Sequence, residues 1–367
     1  MMPAQKIRVA LLFGGKSAEH EVSLESARNV LAAIDRHKYE PVLIGIDKTG
    51  KWLLGDGREA LAGGDGPRQI GVDRSRDLVT FAPESNGELS AIADLQNRGT
   101  IDVAFPILHG PLGEDGTVQG LLKLANIPFV GASVLGSAVG MDKDVMKRLL
   151  RDAGIPLGKF LTLTLGPGPR PGFDEVVALV GRPFFVKPAN MGSSVGVSKV
   201  ADEAGYREAL DLAFSFDRKV LVEEFIEGRE IECSVLGNDD PVASVVGEVK
   251  PSHDFYTYEA KYLDEHGARL DIPADLPPGV ADRARSLAVQ TFRVLCCEGL
   301  GRVDMFLRPS GEVLVNEINT IPGFTKISMY PKLWEASGVS YTDLIDRLIQ
   351  LALERFAREK QLRTSYR

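Results

Sequence analysis

The sequence predicts an α/β chain: a parallel, doubly wound sheet at the amino end, followed by two smaller α+β units. Three observations carry this. Apolar runs and amphipathic stretches alternate through the first third of the chain. The stretches "AGIP" and "GPGPRPG" then break the pattern, and the remainder supplies strands joined by small-residue loops. At 367 residues the chain is also too long for one comfortable core, which asks for two or three domains.

The elements follow in order. "IRVALLF" reads as a buried strand, "GGKSAEHEV" as a Gly-rich turn, "LESARNVLAAI" as an amphipathic helix and "EPVLIGID" as the next strand. A polar, Gly-rich insertion runs to about residue 75. "TIDVAFPIL" is a third strand, ending at His109 and the loop "HGPLGEDG". "TVQGLLKLA" is a short helix, with "IPFVGA" beyond it. This rhythm places ligand loops at the carboxyl ends of the strands. Asp142 caps a helix that runs to about Asp152. "RPFFVKP" and "SVGVSKV" read as strands joined by "ANMGSS"; a helix near 202–214 and the strand "KVLVEEFI" complete the second unit. "REIECSVLG" and "PVASVVGEV" open the third, then a polar loop spans 250–271. Loops of that length are lids or disordered. The helix "VADRARSLAVQTFRVLC" leads to two last strands, "LGRVDMFLR" and "GEVLVNEIN", joined by "PSG".

Composition narrows the function classes. Apolar content of 44% and charged content of 26% are those of an ordinary soluble protein. A net charge of −8 argues against a nucleic-acid footprint and leaves any phosphate site to local Lys, Arg and backbone groups. The cysteines are Cys233, Cys296 and Cys297, without C-x-x-C, and the adjacent pair reads as reduced core inside an apolar helix. No stretch approaches a membrane span, and "KIRVALLF" is too short for a signal segment, so a cytoplasmic chain is expected.

The chemistry concentrates at "VNEINTIPGFT", 315–325. Alternation places Val313, Val315, Glu317 and Asn319 on one face of a strand, and Arg302, Asp304 and Phe306 on one face of its neighbour. If the turn pairs Leu307 with Glu312, Arg302 lies opposite Glu317 and all these residues face the same way. Asp304, Glu317 and Asn319 then converge as hard oxygen ligands suited to Mg²⁺ shared with phosphates. A surface cluster with Arg302 as ion-pair partner is the alternative. The stretch "FFVKPANMGSSVGVSKV" ends a strand on Lys187 and continues in small residues, so that backbone N–H groups and the Ser193-Ser194 loop can approach an anion. A flexible surface hairpin would look the same. "GGKS" is not a phosphate loop of the Walker kind, because Ala10 stands where that motif needs Gly. Glu19 and Glu21 follow a strand end where a substrate could sit, or are simply helix-start carboxylates favoured by the dipole. His109 equally fits a loop hydrogen-bonder.

Taken together, "GGKSAEHEVSL", "HGPLGEDGTVQG", "MDK", "KPANMGSSVGVSKV", "YEAKY" and "VNEINTIPGFT" resemble the D-alanine–D-alanine ligases of the ATP-grasp superfamily, over the whole chain and in the right order. The insertion around 47–95 resembles the larger form of that enzyme. The resemblance implies a Rossmann-like amino-terminal substrate domain, 1–131, then a two-subdomain ATP-grasp fold. Its small subdomain would span 132–227 and its large one 228–367, with the lid at 250–271.

It also implies roles. Lys143 and Lys187 would contact phosphates, with Ser193 and Ser194 in the loop over them. Glu223, Glu224, Phe225 and Ile226 would form the adenine edge, Glu230 the ribose contact, and Asn316 would line the ATP site. Lys261 would reach the γ-phosphate from the lid. Asp304, Glu317 and Asn319 would hold two Mg²⁺ ions, with Mn²⁺ able to substitute and Glu317 bridging. Glu19 would anchor the first ammonium, with His109 beside the substrate. Arg302 and the Gly323 N–H would serve the tetrahedral intermediate, and Ser328 the second carboxylate. Tyr262 would link through Ser193 to Glu19, which implies a dipeptide product. The implied activity is ATP-dependent ligation of two D-alanines through an acyl phosphate, for peptidoglycan, cell-wall biogenesis and cell shape, by a cytoplasmic homodimer with no nucleic-acid or membrane partner. Two alternatives remain at this stage: an ATP-grasp ligase with a different second amino or hydroxy acid, and a non-catalytic nucleotide-binding regulator.

Overall fold

Strand β1 (Ile7–Gly14) is the centre of the first sheet, pairing in parallel with β2 (Tyr39–Ile46) on one side and β7 (Val103–Ile107) on the other. The structure is a computed structural model describing residues 5–55, 77–166, 168, 170–251, 268–363 and 365–366. Val9, Leu11 and Phe13 alternate with Ala10 and Leu12, and all are buried, because both faces of β1 are covered. Helix α1 (His20–Ala33) packs on one face and starts where β1 ends.

The fully parallel sheet expected from the βαβ rhythm is corrected to a mixed one. Beyond β2, the strands β3 (Trp52–Leu54), β4 (Asp77–Phe81), β5 (Glu88–Ala91) and β6 (Asn97–Thr100) extend it by antiparallel pairing. These strands are three to five residues long, too short for their alternation to register in the sequence.

Helices α2 (Thr117–Leu124), α3 (Val134–Met141) and α4 (Lys143–Asp152) lead to the second sheet. The Asp142 cap takes the form the sequence predicts, its Oδ1 accepting the N–H groups of Asp144 at 3.1 Å and Val145 at 3.0 Å. The second sheet is antiparallel, in the order β10 (Ser198–Val200), β9 (Phe184–Pro188), β11 (Lys219–Glu224), β8 (Phe160–Thr164). Helices α5 (Phe173–Val180) and α6 (Glu203–Phe216) close its apolar face over Phe184, Val186 and Val222.

The third sheet runs β14 (Ala268–Asp271), β13 (Val242–Pro251), β12 (Arg229–Gly237), β15 (Gly299–Leu307), β16 (Val313–Asn319). Helix α7 (Val280–Val294) covers one face. The hairpin of β15 and β16 departs from the expected register. Leu307 pairs with Val313 and Met305 with Val315, but Asp304 pairs with Glu317 and Arg302 with Asn319, so Asn316 is an extra residue at a bulge. Arg302 therefore does not lie opposite Glu317. The bulge also changes the phase of β16: Val313, Val315 and Ile318 face the core, whereas Glu317 and Asn319 are half-exposed on the other side.

Helices α8 (Met329–Ala336) and α9 (Tyr341–Glu359) end the chain. Leu344, Ile345 and Leu348 of α9 pack in one cluster with Val9, Leu11 and Phe105 of the first sheet. Each such buried side chain is worth about 1.5–3 kcal/mol. The buried Arg355 guanidinium donates to the carbonyls of Gly131 and, at 2.8 Å, Phe129, clamping α9 to the exit of the first unit. The cysteine pair lies beyond the end of α7, with Cys297 buried but Cys296 exposed, which corrects the expectation of a core helix pair. No helix among the described residues is long and apolar enough to cross a membrane.

Candidate active site

Two cavities open between the sheets and meet. The larger, about 580 Å³, lies between the second and third sheets; the smaller, about 120 Å³, lies between the first and third. Both are lined by Ser193, Glu230, Phe306, Asn316 and Glu317. A group bound in one would therefore touch a group bound in the other at these residues.

The larger cavity is strongly polarised. Lys143 and Lys147 sit one turn apart on α4, and Lys187 near the end of β9; all three are buried at 9%, 2% and 8% exposure. Lys143 Nζ lies 3.4 Å from Glu317 Oε2 and donates to the Met191 carbonyl at 2.8 Å. Glu223 takes both remaining ammonium groups, Lys187 Nζ at 2.6 Å and Lys147 Nζ at 3.2 Å. Burial alone would raise the Glu223 carboxyl, but the two ammonium groups hold it below its ordinary range. Burial pulls Lys147 down despite Glu223, whereas the charges of Glu223 and Glu317 outweigh burial at Lys187 and hold it up. At this corner three lysines face two carboxylates, a local surplus of positive charge that suits an anion. The lining elsewhere is acidic, through Glu224, Glu227, Glu230 and Glu248 against Lys159, Arg229 and Lys250. At the rim, Phe225 packs on Phe185 with centroids 6.1 Å apart, and Ile226 lies beside Gly158. The Glu224 side chain is occupied elsewhere, accepting from the Lys159 N–H at 2.9 Å and Arg308 Nη2 at 2.8 Å. It secures the cavity wall.

The loop after β9 reaches across to the smaller cavity. Ser193 and Ser194 adopt φ of 50° and 59°, left-handed values that curl the loop tightly. The Ser193 hydroxyl donates to Glu19 Oε1. Two glycines make this approach possible: a Cβ on Gly110 would stand 2.7 Å from Glu19 Oε2, and one on Gly192 3.0 Å from it. His109 is buried, and both ring nitrogens are engaged, Nδ1 with the Ile321 carbonyl at 3.0 Å and Nε2 with Ser26 Oγ at 3.3 Å. Burial lowers its pKa, favouring the neutral ring. Ser328 Oγ accepts the Thr325 N–H at 3.0 Å and stands 2.7 Å from where a Cβ on Gly323 would project. Gly323 and Ser328 thus share one corner of the cavity.

The bulge brings the oxygen ligands together. Asp304 faces Glu317 across the hairpin, and Asn319 Nδ2 donates to Asp304 Oδ2 at 2.9 Å. Arg302 binds Asp304 through Nε and Nη2, both at 2.7 Å, and its Nε lies 2.8 Å from Glu232 Oε2. Two carboxylates and an amide form a hard donor set that fits a divalent cation such as Mg²⁺. Among the described residues no group of three or more His, Cys, Asp and Glu gathers as a metal cluster, and this set holds two carboxylates beside its amide.

Lys261, Tyr262 and most of the expected lid lie outside the described residues. Three residues that the sequence reading missed also line the site. Glu232 follows Glu230 at strand period, and Lys147 follows Lys143 at helical period; both signals were present in the sequence. Glu114 lies in the "HGPLGEDG" loop, where no periodicity marks it.

Comparison with known proteins adds a family. A model described as "D-ala D-ala ligase N-terminus" matches residues 8–132, and one described as "D-ala D-ala ligase C-terminus" matches residues 149–350. The chain is 54% identical over 364 residues to D-alanine–D-alanine ligase A of Escherichia coli strain K12, covering 98% of this chain and 100% of that one. It is also 54% identical over 361 residues to the D-alanine–D-alanine ligase of Shouchella clausii, with 98% of each covered. Among solved structures, the D-alanine–D-alanine ligase from Coxiella burnetii superposes with a TM-score of 0.86 at 39% identity, over 98% of this chain and 97% of that chain. The VanG D-Ala:D-Ser ligase from Enterococcus faecalis gives 0.82 at 36%, over 95% and 100%.

Proposed function

The chain belongs to the D-alanine–D-alanine ligase family, and from that premise we propose a role for each residue gathered above. The enzyme uses ATP and a divalent metal to join two D-alanines for peptidoglycan synthesis. A carboxylate is a poor electrophile because oxide is a poor leaving group. Attack by the first D-alanine carboxylate on the γ-phosphate converts that oxygen into a leaving phosphate. The amine of the second D-alanine then attacks the acyl carbon, and phosphate departs. The protein's work is positioning and charge neutralisation.

In this reading ATP occupies the larger cavity. Glu223, Phe225, Ile226 and the backbone at Glu224 meet adenine, and Glu230 meets ribose. Lys143, Lys187, Ser194 and, from the lid, Lys261 hold phosphates beside Asn316. Asp304, Glu317 and Asn319 would hold two Mg²⁺ ions, replaceable by Mn²⁺, which neutralise phosphate charge. D-alanine occupies the smaller cavity. Glu19, steadied by Ser193, takes the first ammonium, with His109 supporting that wall. Arg302 and the Gly323 N–H face the oxyanion of the tetrahedral intermediate, and Ser328 the second carboxylate. Tyr262 completes the Ser193–Glu19 link when the lid closes, which favours amine over hydroxyl as nucleophile. We carry forward domain divisions near 131 and 227, and a cytoplasmic homodimer, as part of the same reading.

The observation that carries the assignment is the junction of the two cavities at Ser193, Asn316 and Glu317, where an ATP phosphate and an amino-acid carboxylate would meet. Incubation with ATP, Mg²⁺ and a panel of D-amino and D-hydroxy acids tests it. Phosphate release with D-alanine but not L-alanine, and dipeptide as product, are expected. A mainly ester product with D-lactate present would overturn the substrate assignment.

A further inference from the structure

Lys187 and Glu223 have separate tasks in the reading above, one on the phosphates and one on the base, yet here they are bound to each other at 2.6 Å. If Lys187 turns to the phosphates, it leaves a carboxylate that is only 9% exposed. Removing one partner from a buried ion pair strands the other charge away from water. A second lysine stands at the same carboxylate. Lys147, a turn beyond Lys143 on α4 and 2% exposed, sits 3.2 Å from the other carboxylate oxygen of Glu223, its ammonium 5.9 Å from the centre of the Phe160 ring.

We propose that Lys147 is a positioning residue of the nucleotide site: it holds and compensates Glu223 so that Lys187 can pass from that carboxylate to the phosphates. Base and phosphate recognition are thereby coupled through one carboxylate shared by two lysines. Adenine's amino group can add a bond to Glu223 while Lys147 stays in place. Without Lys147, Glu223 keeps Lys187, and the phosphates lose their lysine. The inference rests on ATP occupying the larger cavity, as proposed above.

Binding of adenosine and of ADP at fixed Mg²⁺, measured by calorimetry, separates the two terms. Lys147→Met should lower the preference for ADP over adenosine by at least about tenfold, with adenosine affinity nearly unchanged and Lys147→Arg restoring the preference. In Glu223→Gln, Lys187 is released, so the preference should persist, and adding Lys147→Met should no longer reduce it. Equal weakening of adenosine and ADP by Lys147→Met would reduce Lys147 to a structural residue and overturn the proposal. Should Lys147→Met not fold, Glu223→Gln still decides: a collapsed ADP preference there is the overturning result. Wild-type protein that binds neither ligand would defeat the nucleotide assignment itself, and this inference with it.

Discussion

The Ser193 hydroxyl donates to the Glu19 carboxylate, joining residues 174 positions apart and linking the phosphate-side loop to the start of α1. In the proposed reading this bond steadies the carboxylate that takes the first ammonium. Ser193→Ala should lower kcat/KM for D-alanine by about 10–100-fold, the range lost when an orienting contact is removed. ATP affinity should change little. Steady-state kinetics with each substrate varied checks this; a loss confined to the KM for ATP would refute it.

Glu317 sits at the meeting of the cavities, 3.4 Å from Lys143 and paired with Asp304. Glu317→Gln is isosteric and should leave the unfolding temperature nearly unchanged. Phosphate release should fall by at least about 100-fold, because an amide is a far weaker ligand for a hard cation than a carboxylate. Near-normal turnover at moderate Mg²⁺ would remove Glu317 from the metal set.

Glu114 offers a pH signature. Its Oε2 accepts the Gly110 N–H at 2.9 Å, and burial, then the charge of Glu19, raises its carboxyl from about 4.5 to about 8. The folded chain therefore holds a proton that the unfolded chain releases. This contribution to stability is complete below pH 4.5 and is lost as pH rises towards 8. Glu114→Gln keeps an acceptor for Gly110 and removes the titration. Relative to wild type, the variant should gain on the order of 1–3 kcal/mol between pH 5 and pH 8. Denaturant unfolding at both values measures it, and parallel pH profiles for the two proteins would count against the assignment.

The bulge at Asn316 predicts that its deletion is tolerated. Asn316→Ala should cost at most about 1 kcal/mol of stability. Deleting the residue removes the extra position and leaves Val315, Glu317, Ile318 and Asn319 in simple alternation, each on its present face. The deletion variant should therefore fold, at a cost of at most about 3 kcal/mol. Thermal unfolding of the two variants checks this, and a deletion that abolishes folding would disprove the phase argument.

Most of what positions the site was legible in the sequence. Long apolar runs gave β1 and β7, Asp142 announced its helix, and Lys143, Lys187, Asp304 and Glu317 all stand at the cavities. The bulge was not legible, because Val313, Val315, Glu317 and Asn319 read as unbroken alternation; only the pairing with β15 shows the phase change. The short strands β3–β6 hid in a polar insertion, since their pairing comes from neighbours and not from their own pattern. Glu114 was missed for a similar reason, its burial being set by contacts across the fold.

Packing of α9 against the first sheet has a consequence for how the protein is made. The face formed by Val9, Leu11 and Phe105 is completed by Phe324, Leu344 and Leu348, residues made more than two hundred positions later. The amino-terminal third, though synthesised first, emerges with this apolar face covered by α1 alone. Nascent chains arrested before residue 324 should be protease-sensitive in their first 130 residues, and should become resistant once about 30–40 residues beyond α9 have been added to clear the ribosomal tunnel, taking an extended chain at ~3.3 Å per residue. The second sheet keeps its own separate core. Its maturation does not wait for α9.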